Sequence, residues 1–381
     1  MNEKKQKGRI SAVIISVIFL AFIFAGCLLY VFLPKKDYSE TEKRYLASAP
    51  SLSWSSVKSG EFSEDFEKFL ADQTPFRSFF VSVNSYFEYL KGNNGSSGVY
   101  LCKNGWLIEK PFDESNRFDK NLKEIKDFTE KTNLPVTLIA VPEKGALYEK
   151  YLPKNSLKFE DEKYINTLAD EFEKSEKVDF INLGDSFLKS ENETYFYKTD
   201  HHWTSDGAFE AYRLFCLSKG LKEPKECDYN VETYPGFYGT SYSTSCYTLT
   251  KPDEVKIYTC KENGGKAKVT VTEGKKVTES DDMFFRNRLD EGDKYTVFLD
   301  GNHTRVDVKS GVNGKKLLII KDSFAHCLAP FLAEQYGEIV MIDQRYYNGS
   351  VSKLIEEEKI DEIAFIYGVN TLAESRDISL Y

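Results

Sequence analysis

The sequence predicts an α/β protein with a mostly parallel sheet, helices on both faces and a membrane-spanning helix at its N-terminus. Short apolar runs such as "LPVTLIAVP", "VDFINL" and "KKLLII" alternate with segments of helical spacing, which is typical of parallel strands connected by helices. Residues 10–33 form one uncharged run, long enough to cross a hydrocarbon core of about 30 Å. Residues 220–310 break the alternation. They are rich in Tyr, Thr, Val and Gly, with turns such as "ENGGK" and "TEGKK", and predict an inserted β-rich segment.

The N-terminal apolar run is expected to be an uncleaved anchor. The residues before it include Lys4, Lys5, Lys7 and Arg9, which the positive-inside rule places in the cytoplasm. A cleaved signal peptide has a shorter apolar region of about 7–15 residues and a small-residue cleavage site. The run "FAGC", ending at Cys27, resembles a lipoprotein box, but apolar "LLYVFL" follows it where a polar tether is expected. We expect a single-pass protein of the cell membrane with an extracytoplasmic main domain; a lipoprotein and a cleaved signal remain as alternatives.

Three regions follow from these patterns. They are a cytoplasmic tail and anchor at 1–33, a stalk and helical juxtamembrane region at 34–98, and a main domain at 99–381 with its insertion around 220–310. In the second region, "GEFSEDFEKFLADQTPFRSFFVSVNSYFEYLKG" has apolar residues at helical spacing on both sides of Pro75. This spacing predicts two helices joined by a turn at "DQTPFR".

The elements of the main domain follow from local patterns. "VYLCKNGWLIEK" predicts a hairpin with Asn104-Gly105 as its turn. A helix follows "TDHHWT", with Thr204 or Ser205 as its cap. Further helices are predicted near 113–132, 160–175 and 351–358. Strands are predicted at "LPVTLIAVP", "VDFINL", "KKLLIIKDS", "EIVMID" and "EIAFIYGV".

Composition and cysteine spacing exclude some classes of protein. The net charge of −9 argues against a nucleic-acid binder, because no overall basic field would attract phosphates. The seven cysteines include no Cys-x-x-Cys pair, which argues against a structural zinc site. Because an exported chain permits disulfides, Cys216 with Cys227 and Cys246 with Cys260 are candidate local pairs, with fully reduced cysteines as the alternative.

The chain has only four histidines, and all lie in three short polar segments: "TDHHWT", "DGNHT" and "KDSFAH". In the last of these, Ser323 follows a buried strand, and Pro330 predicts that a helix begins shortly before it. A strand-to-helix turn exposes a hydroxyl and offers free backbone N–H groups to an oxyanion. Ser323 is therefore a candidate nucleophile, and a helix cap is the alternative reading.

A nucleophilic serine requires an imidazole as its base and a carboxylate to orient that imidazole. We expect His202 to be the base and Asp200 its partner, with Trp203 as a wall that excludes water. His326 is a second candidate base. Asn302 is a candidate oxyanion donor because side-chain amides serve this role.

Three further hypotheses concern residues in or near these segments. His201 is a candidate substrate contact, although a structural role is also expected for it. Arg345 lies in "IDQRYY", a candidate lining of the cleft. The alternative of a zinc site made by Asp200, His202, His303 and His326 lacks support from any His-x-x-x-His or His-Glu-x-x-His pattern, so no metal or other cofactor is predicted.

These segments resemble the DHHW family. "TDHHWT" and "IIKDSFAH" carry the resemblance most specifically. Softer matches follow in the family's order: "EKRYLASAP", "SGEFSEDFEKFLADQTPFR", "GVYLCKNGWL", "VPEKGALYEKYLP" and "FYGTSY". The family is similar to alginate O-acetyltransferases of the AlgJ/AlgX type. The resemblance implies an SGNH-hydrolase-like three-layer α/β/α domain with a triad at Asp200, His202 and Ser323. This sequence departs from ordinary SGNH hydrolases in the order of the serine and histidine segments and in having Lys321 where they have glycine.

The resemblance implies a membrane-anchored serine O-acetyltransferase that modifies a cell-envelope or secreted polysaccharide through an acyl-enzyme. It also implies a membrane-bound O-acyltransferase as the partner that donates acetyl groups. A carbohydrate esterase of the same fold and a non-catalytic envelope scaffold protein are the alternatives.

Overall fold

The computed structural model of the chain describes residues 2–112, 117–190, 192–262, 266–374 and 378–380, with side chains from residue 12 onward except that of Asp185. Its contacts divide the chain into two compact units, Met1–Phe87 and Glu88–Tyr381. The side chains of Lys4, Lys5, Lys7 and Arg9 lie outside the described part, as do residues 113–116 of one predicted helix and part of the turn "ENGGK".

The first unit contains one long apolar helix, α1 (Asn2–Phe32), of which Ala12–Phe32 is long and apolar enough to span a membrane. A short hairpin follows, made of β1 (Tyr38–Ser39) and β2 (Arg44–Tyr45), within the predicted stalk. Three helices complete the unit: α2 (Trp54–Ser59), α3 (Glu61–Asp72) and α4 (Arg77–Glu88). The two helices predicted on either side of Pro75 are therefore confirmed.

The second unit is built on an eight-stranded mixed sheet. Its strands in chain order are β6 (Val136–Val141), β7 (Val178–Ile181), β10 (Lys266–Glu273), β11 (Lys276–Asp282), β12 (Arg305–Lys309), β13 (Lys316–Lys321), β14 (Glu338–Ile342) and β15 (Glu362–Gly368). Their order in the sheet is β11-β10-β12-β14-β13-β15-β6-β7. Neighbouring strands are parallel among β14, β13, β15, β6 and β7. The pairs β11–β10, β10–β12 and β12–β14 at the other edge are antiparallel.

Helices on both faces bury alternate residues of the parallel strands. In β13, Leu317 and Ile319 belong to one hydrophobic core, and Leu318 and Ile320 belong to the other. The longer helices are α5 (Arg117–Lys131), α7 (Asp161–Phe172), α9 (Ser205–Ser218), α11 (Ala325–Leu332) and α12 (Val351–Glu358). The short helices are α6 (Lys144–Leu147), α8 (Leu183–Phe187), α10 (Thr240–Ser245) and α13 (Val369–Glu374). The predicted α/β class, with a large sheet whose central strands are parallel, is confirmed.

The remaining strands lie outside the large sheet. β3 (Gly95–Ser96), β4 (Val99–Leu101) and β5 (Leu107–Glu109) form a three-stranded antiparallel sheet, and the loop from β4 to β5 carries Asn104 and Gly105 with positive φ, as the hairpin pattern predicts. β8 (Tyr229–Phe237) pairs with β9 (Asp253–Cys260). The predicted β-rich segment is therefore present. Only β8 and β9 lie outside the main sheet, because β10, β11 and β12 extend that sheet beyond β14.

Two local expectations are wrong. All seven cysteines are free, so neither Cys216 with Cys227 nor Cys246 with Cys260 forms a disulfide. The helix near Pro330 does not begin shortly before it; α11 begins at Ala325 and Pro330 is its sixth residue. An interior proline costs a helix about 3 kcal/mol. Every residue of α11 is buried, so packing outweighs this local preference.

The helix α9 fixes the end of the histidine segment through its N-cap. The Thr204 hydroxyl accepts hydrogen bonds from the N–H groups of Asp206 and Gly207, at 3.2 and 3.3 Å. Thr204→Ala should therefore lower the free energy of unfolding by about 1 kcal/mol, measured by urea denaturation in detergent. Thr204→Ser keeps the hydroxyl and should stay within a few tenths of the parent protein. Equal losses in both variants would contradict the cap.

Candidate active site

Residues 197–202, which include most of "TDHHWT", form a tight loop between the bridged residues Phe196 and Trp203. Asp253 holds the start of the loop, because its carboxylate accepts hydrogen bonds from the N–H groups of Lys198 and Thr199 and from the Thr199 hydroxyl, at 3.0, 2.7 and 2.6 Å. The loop is thereby fixed from both sides before α9 begins.

Three predicted residues lie in one hydrogen-bonded line. The Nδ1 atom of His202 is 2.6 Å from Oδ1 of Asp200, and its Nε2 atom is 2.7 Å from Oγ of Ser323. Asp200 is 1% exposed and His202 is 6% exposed, whereas Ser323 is half-buried. A neutral imidazole that donates from Nδ1 to the carboxylate can accept the serine proton at Nε2, which is the arrangement that activates a serine hydroxyl.

The turn that carries Ser323 is held from several directions. It follows β13, at the carboxyl end of a central parallel strand, where open α/β sheets bind ligands. The carboxylate of Asp322 accepts hydrogen bonds from the N–H groups of Phe324 and Gly368, at 3.0 and 2.7 Å. The Tyr295 hydroxyl donates to the Ser323 carbonyl at 3.1 Å. These bonds fix the backbone and leave the Ser323 hydroxyl to His202.

Aromatic rings fix the orientation of the imidazole. The Tyr295 ring stacks on His202 with centroids 3.9 Å apart and an angle of 8° between the planes. The Phe324 ring meets His202 edge-on at 5.4 Å. Trp203 is fully buried and donates its indole N–H to the Phe324 carbonyl at 3.0 Å. Trp203 thus supports the serine turn from the protein interior, where it has no solvent-facing surface.

Asp200 is the most heavily hydrogen-bonded group of the site. Its Oδ1 also accepts the N–H of His202 at 2.9 Å, and its Oδ2 accepts the N–H and hydroxyl of Thr240 at 2.7 and 3.2 Å. Burial alone would raise the pKa of this carboxyl group, but His202, His201 and the donated hydrogen bonds hold the pKa of Asp200 well below its usual value. The carboxylate is therefore ionised near pH 7.

Two residues distant in sequence complete this environment. A Cβ at Gly239 would lie 2.1 Å from the Cβ of Asp200, so only glycine allows the two segments to approach this closely. The buried amine of Lys144 donates to the Asp200 carbonyl at 2.6 Å and to the Ser241 hydroxyl at 3.2 Å, and it lies 3.6 Å from Oε2 of Glu109. Lys144 therefore fixes the backbone of Asp200, and through it the carboxylate.

His201 opens onto a pocket beside the serine turn. Its Nδ1 atom lies 2.6 Å from the Thr240 hydroxyl, and 35% of its side chain is exposed. The protein around the ring, followed by the neighbouring His202, lowers the pKa of His201 to about 4, so this ring is neutral near pH 7. The pocket has a volume of about 280 Å³. Its polar lining includes Glu109, Glu143, Lys144, His201, Thr240 and Asn370.

Two carboxyl groups meet at this pocket: Glu143 of its lining and buried Asp161. The N–H of Glu143 donates to Oδ1 of Asp161 at 2.5 Å, while Oε2 of Glu143 and Oδ2 of Asp161 are buried and have no hydrogen-bond partner among the described residues. Burial, and then the charge of Asp161, raises the pKa of Glu143 well above its usual value. Burial raises the pKa of Asp161 to about 7. Both groups therefore retain protons at a pH where ordinary carboxyl groups are ionised.

The predicted residues His326, Arg345 and Asn302 belong to a second polar cluster, built around Asp343. His326 is buried with Nε2 2.6 Å from the Lys321 amine, so His202 and not His326 faces the serine hydroxyl. Lys321 also pairs with Asp343 at 3.3 Å, and burial lowers the pKa of this lysine to about 8. Arg345 binds the same Asp343 at 2.6 Å and lies 3.3 Å from Oδ1 of Asn302, which is exposed.

The four residues of the alternative zinc site, Asp200, His202, His303 and His326, do not form a group of close ligand atoms. His303 lies 3.1 Å from the Asp300 carbonyl and 3.3 Å from its carboxylate. Within the described residues, the one group of metal-ligating side chains with close ligand atoms is Asp200, His201 and His202. Since the ring nitrogens of His202 already contact Asp200 and Ser323, a metal ion would have to break one of these contacts.

Sequence reasoning missed Lys144, Glu109, Gly239 and Tyr295. Each comes from a segment far from the histidines along the chain, and each has an ordinary structural reading by itself. Two of these residues could have been found from the family resemblance. Lys144 lies in "VPEKGALY" and Gly239 lies in "FYGTSY", and both segments belong to that resemblance.

The Glu143–Asp161 pair predicts a pH dependence of stability. The pKa of an aspartate in an unfolded chain is about 3.9, below the folded value of about 7, so the folded state binds this proton more tightly. The stabilisation is complete below about pH 4 and is lost as the pH rises through about 7. Asp161→Asn should therefore flatten the decrease in unfolding free energy between pH 5 and pH 8, by on the order of a few kcal/mol.

The matched control is the exposed neighbour, Glu162→Gln. It should leave the pH dependence unchanged, as measured by urea denaturation at both pH values. An Asp161→Asn profile as steep as that of the parent protein would show that this carboxyl group titrates normally.

The chain is similar in sequence to two families. Residues 99–217 match the family described as "SGNH hydrolase-like domain, acetyltransferase AlgX", and residues 174–342 match the family described as "DHHW protein". No curated protein matches the chain.

The fold is similar to that of solved proteins. A DHHW family protein from Eubacterium siraeum matches with a TM-score of 0.60 and 21% identity, over 74% of this chain and 93% of that one. PatB1 of Bacillus cereus, solved with a sulfonyl adduct, matches with a TM-score of 0.61 and 21% identity, over 73% of this chain and 96% of that one. The O-acetyltransferase domain of Pseudomonas putida AlgJ gives a TM-score of 0.46 and 16% identity, over 74% and 95% of the two chains. The two family matches confirm the resemblance to DHHW and AlgX-type proteins that the sequence predicts, and residues 99–217 of the α/β fold match an SGNH-hydrolase-like domain.

Proposed function

We propose that the protein is a serine O-acetyltransferase that acts outside the cytoplasm on a cell-envelope or secreted polysaccharide. The observation that carries the proposal is the contact of the Ser323 hydroxyl with His202, which in turn contacts the buried carboxylate of Asp200. The match of residues 99–217 to a family described as an acetyltransferase supports acyl transfer as the reaction class.

In the first step, Ser323 takes the acetyl group. His202 Nε2 accepts the proton of the Ser323 hydroxyl as Oγ bonds to the acetyl carbon, and the imidazolium is stabilised by Asp200. The bond from the acetyl carbon to the donor then breaks, and the proton passes from His202 to the leaving donor group. The products are an acetyl-serine and the deacetylated donor.

Backbone donors near Ser323 favour this step. The N–H of Ser323 makes no hydrogen bond within the part of the chain that the structure describes, whereas those of Asp322 and Phe324 are bonded at 3.1 and 3.0 Å. A free N–H beside the nucleophile is what a developing oxyanion requires. Asn370 lines the adjacent pocket and offers an amide for the same charge.

In the second step, a sugar hydroxyl resolves the acetyl-serine. The hydroxyl gives its proton to His202 as its oxygen bonds to the acetyl carbon. The bond to Ser323 Oγ breaks, and Oγ recovers the proton from His202. Ser323, His202, the donor and the acceptor account for every bond and proton in the two steps. The esterase alternative differs only in using water as the acceptor.

The apolar helix Ala12–Phe32 supports a membrane anchor for this domain. We propose a single-pass orientation with the second unit outside the cytoplasm. A membrane-bound O-acyltransferase would then supply the acetyl group from across the membrane, as the family resemblance implies. Polysaccharide as the acceptor rests on the same resemblance.

Ser323→Ala should reduce cleavage of p-nitrophenyl acetate by at least about three orders of magnitude, because acetyl transfer to the enzyme requires the hydroxyl. Release of p-nitrophenol measures the rate. Ser218→Ala, at the end of α9, is the control and should retain the parent rate, and both variants should keep the parent melting temperature. Undiminished turnover by a folded Ser323→Ala protein would overturn the proposal.

Transfer and hydrolysis are distinguished by the fate of the acetyl group. With the acetyl ester as donor and envelope oligosaccharides added, we expect ester-linked acetyl on the sugar, detected by mass spectrometry and absent with Ser323→Ala. Release of free acetate alone, at a rate independent of added oligosaccharide, would favour the esterase instead.

A further inference from the structure

The helix α4 has an inverted amphipathic pattern. Its two buried residues are serines, Ser82 and Ser85. Its exposed side chains include Phe79, Phe80, Val83 and Phe87, which are 63%, 47%, 49% and 57% exposed. Phe76, just before the helix, is 65% exposed.

These five exposed residues form one surface, here called the aromatic stripe: Phe76, Phe79, Phe80, Val83 and Phe87. Spacings of three and four residues place Phe79, Phe80, Val83 and Phe87 on one side of α4, and Phe76 directly precedes the helix. Isolated apolar residues on a protein surface are common, but a contiguous stripe marks an interaction site.

The turn at the start of the aromatic stripe has a defined conformation. Phe76 has a φ of +59°, an uncommon conformation for a residue with a bulky side chain. An ion-pair network fixes the turn around it: Arg77 binds Glu42 at 2.9 Å, and Arg44 binds Asp72 at 2.6 Å. These ion pairs flank Phe76 and fix the turn in which its backbone takes this conformation.

The same turn is tied to the end of the apolar helix α1. The side chain of Gln73 accepts the N–H of Lys36 at 3.0 Å and donates to the Lys36 carbonyl at 2.8 Å. Lys36 is only four residues beyond Phe32, where α1 ends. Four residues span at most about 14 Å, so the turn from α3 to α4 lies close to the point where the chain would leave a bilayer.

We propose that the aromatic stripe is a membrane-binding surface that lies in the lipid headgroup region of the bilayer that α1 crosses. A protein partner or a second copy of the chain would also cover apolar residues. The lipid surface is favoured because the hydrogen bonds of Gln73 keep the stripe at the exit of α1, and because aromatic residues are the side chains that membrane interfaces prefer.

The geometry of α3 agrees with this proposal. Its apolar residues, Phe62, Phe66, Phe69 and Leu70, lie on one side, and the Phe62 and Phe66 rings stack at 5.7 Å. Its charged residues lie on the opposite side, where Lys68 pairs with Glu64 at 2.9 Å. Exposed Glu67 belongs to that charged side and should face water.

The test uses the full chain in nanodiscs of phosphatidylcholine with a quarter phosphatidylglycerol. The photoreactive residue p-benzoylphenylalanine replaces Phe80 in one protein and Glu67 in a matched control, and mass spectrometry identifies the adducts after irradiation. We expect lipid adducts at position 80 to exceed those at position 67 several-fold. Equal lipid labelling at both positions, or adducts between two copies of the chain, would overturn the proposal.

A second measurement needs no substitution. Amide hydrogen exchange of residues 76–87 should be several-fold slower in these nanodiscs than in amphipol, which solubilises the chain without a bilayer. Exchange on the sheet of the second unit should be equal in both. The same exchange rate for residues 76–87 in both media would count against contact with lipid, whatever the photolabelling variants do.

Discussion

The site depends on one buried carboxylate. Asp200 is almost completely removed from water, and such a charge is stable only where hydrogen bonds compensate it. Donors from the His202 backbone, the His202 ring and Thr240 provide that compensation, and Gly239 allows the segments to meet. Because each donor also fixes a segment, the carboxylate that orients the imidazole also holds the surrounding loops together.

The fold brings the serine to this carboxylate by a different route. Two apolar cores hold β13 in the centre of the sheet, and its carboxyl end presents Ser323. Tyr295 links the two halves of the site, because its ring stacks on His202 and its hydroxyl holds the Ser323 carbonyl. A strand late in the chain and a loop in its middle thus meet at one site, where the Ser323 hydroxyl contacts His202.

Sequence patterns predict those features whose physical cause is local. The apolar runs give the parallel strands, the Thr204 cap gives the start of α9, and the polar histidine segments identify the three residues now found in contact. Sequence patterns do not predict features that depend on contacts between segments distant in the chain. Pro330 lies inside α11 because packing outweighs its local cost, and β12 joins the parallel strands through an edge of β14 that no local pattern marks. No local pattern marks Lys144, because Asp200 and Ser241, to which its amine donates, come together around it only in the folded chain.

The most direct test of the central claim is a crystal structure of the full chain after reaction with a sulfonyl fluoride, a reagent that captures activated serine hydroxyls. The account predicts a covalent sulfonyl group on Ser323 Oγ, with His202 Nδ1 still within about 2.6–3.2 Å of Asp200. An unmodified Ser323, or a His202 ring turned away from both partners, would contradict it.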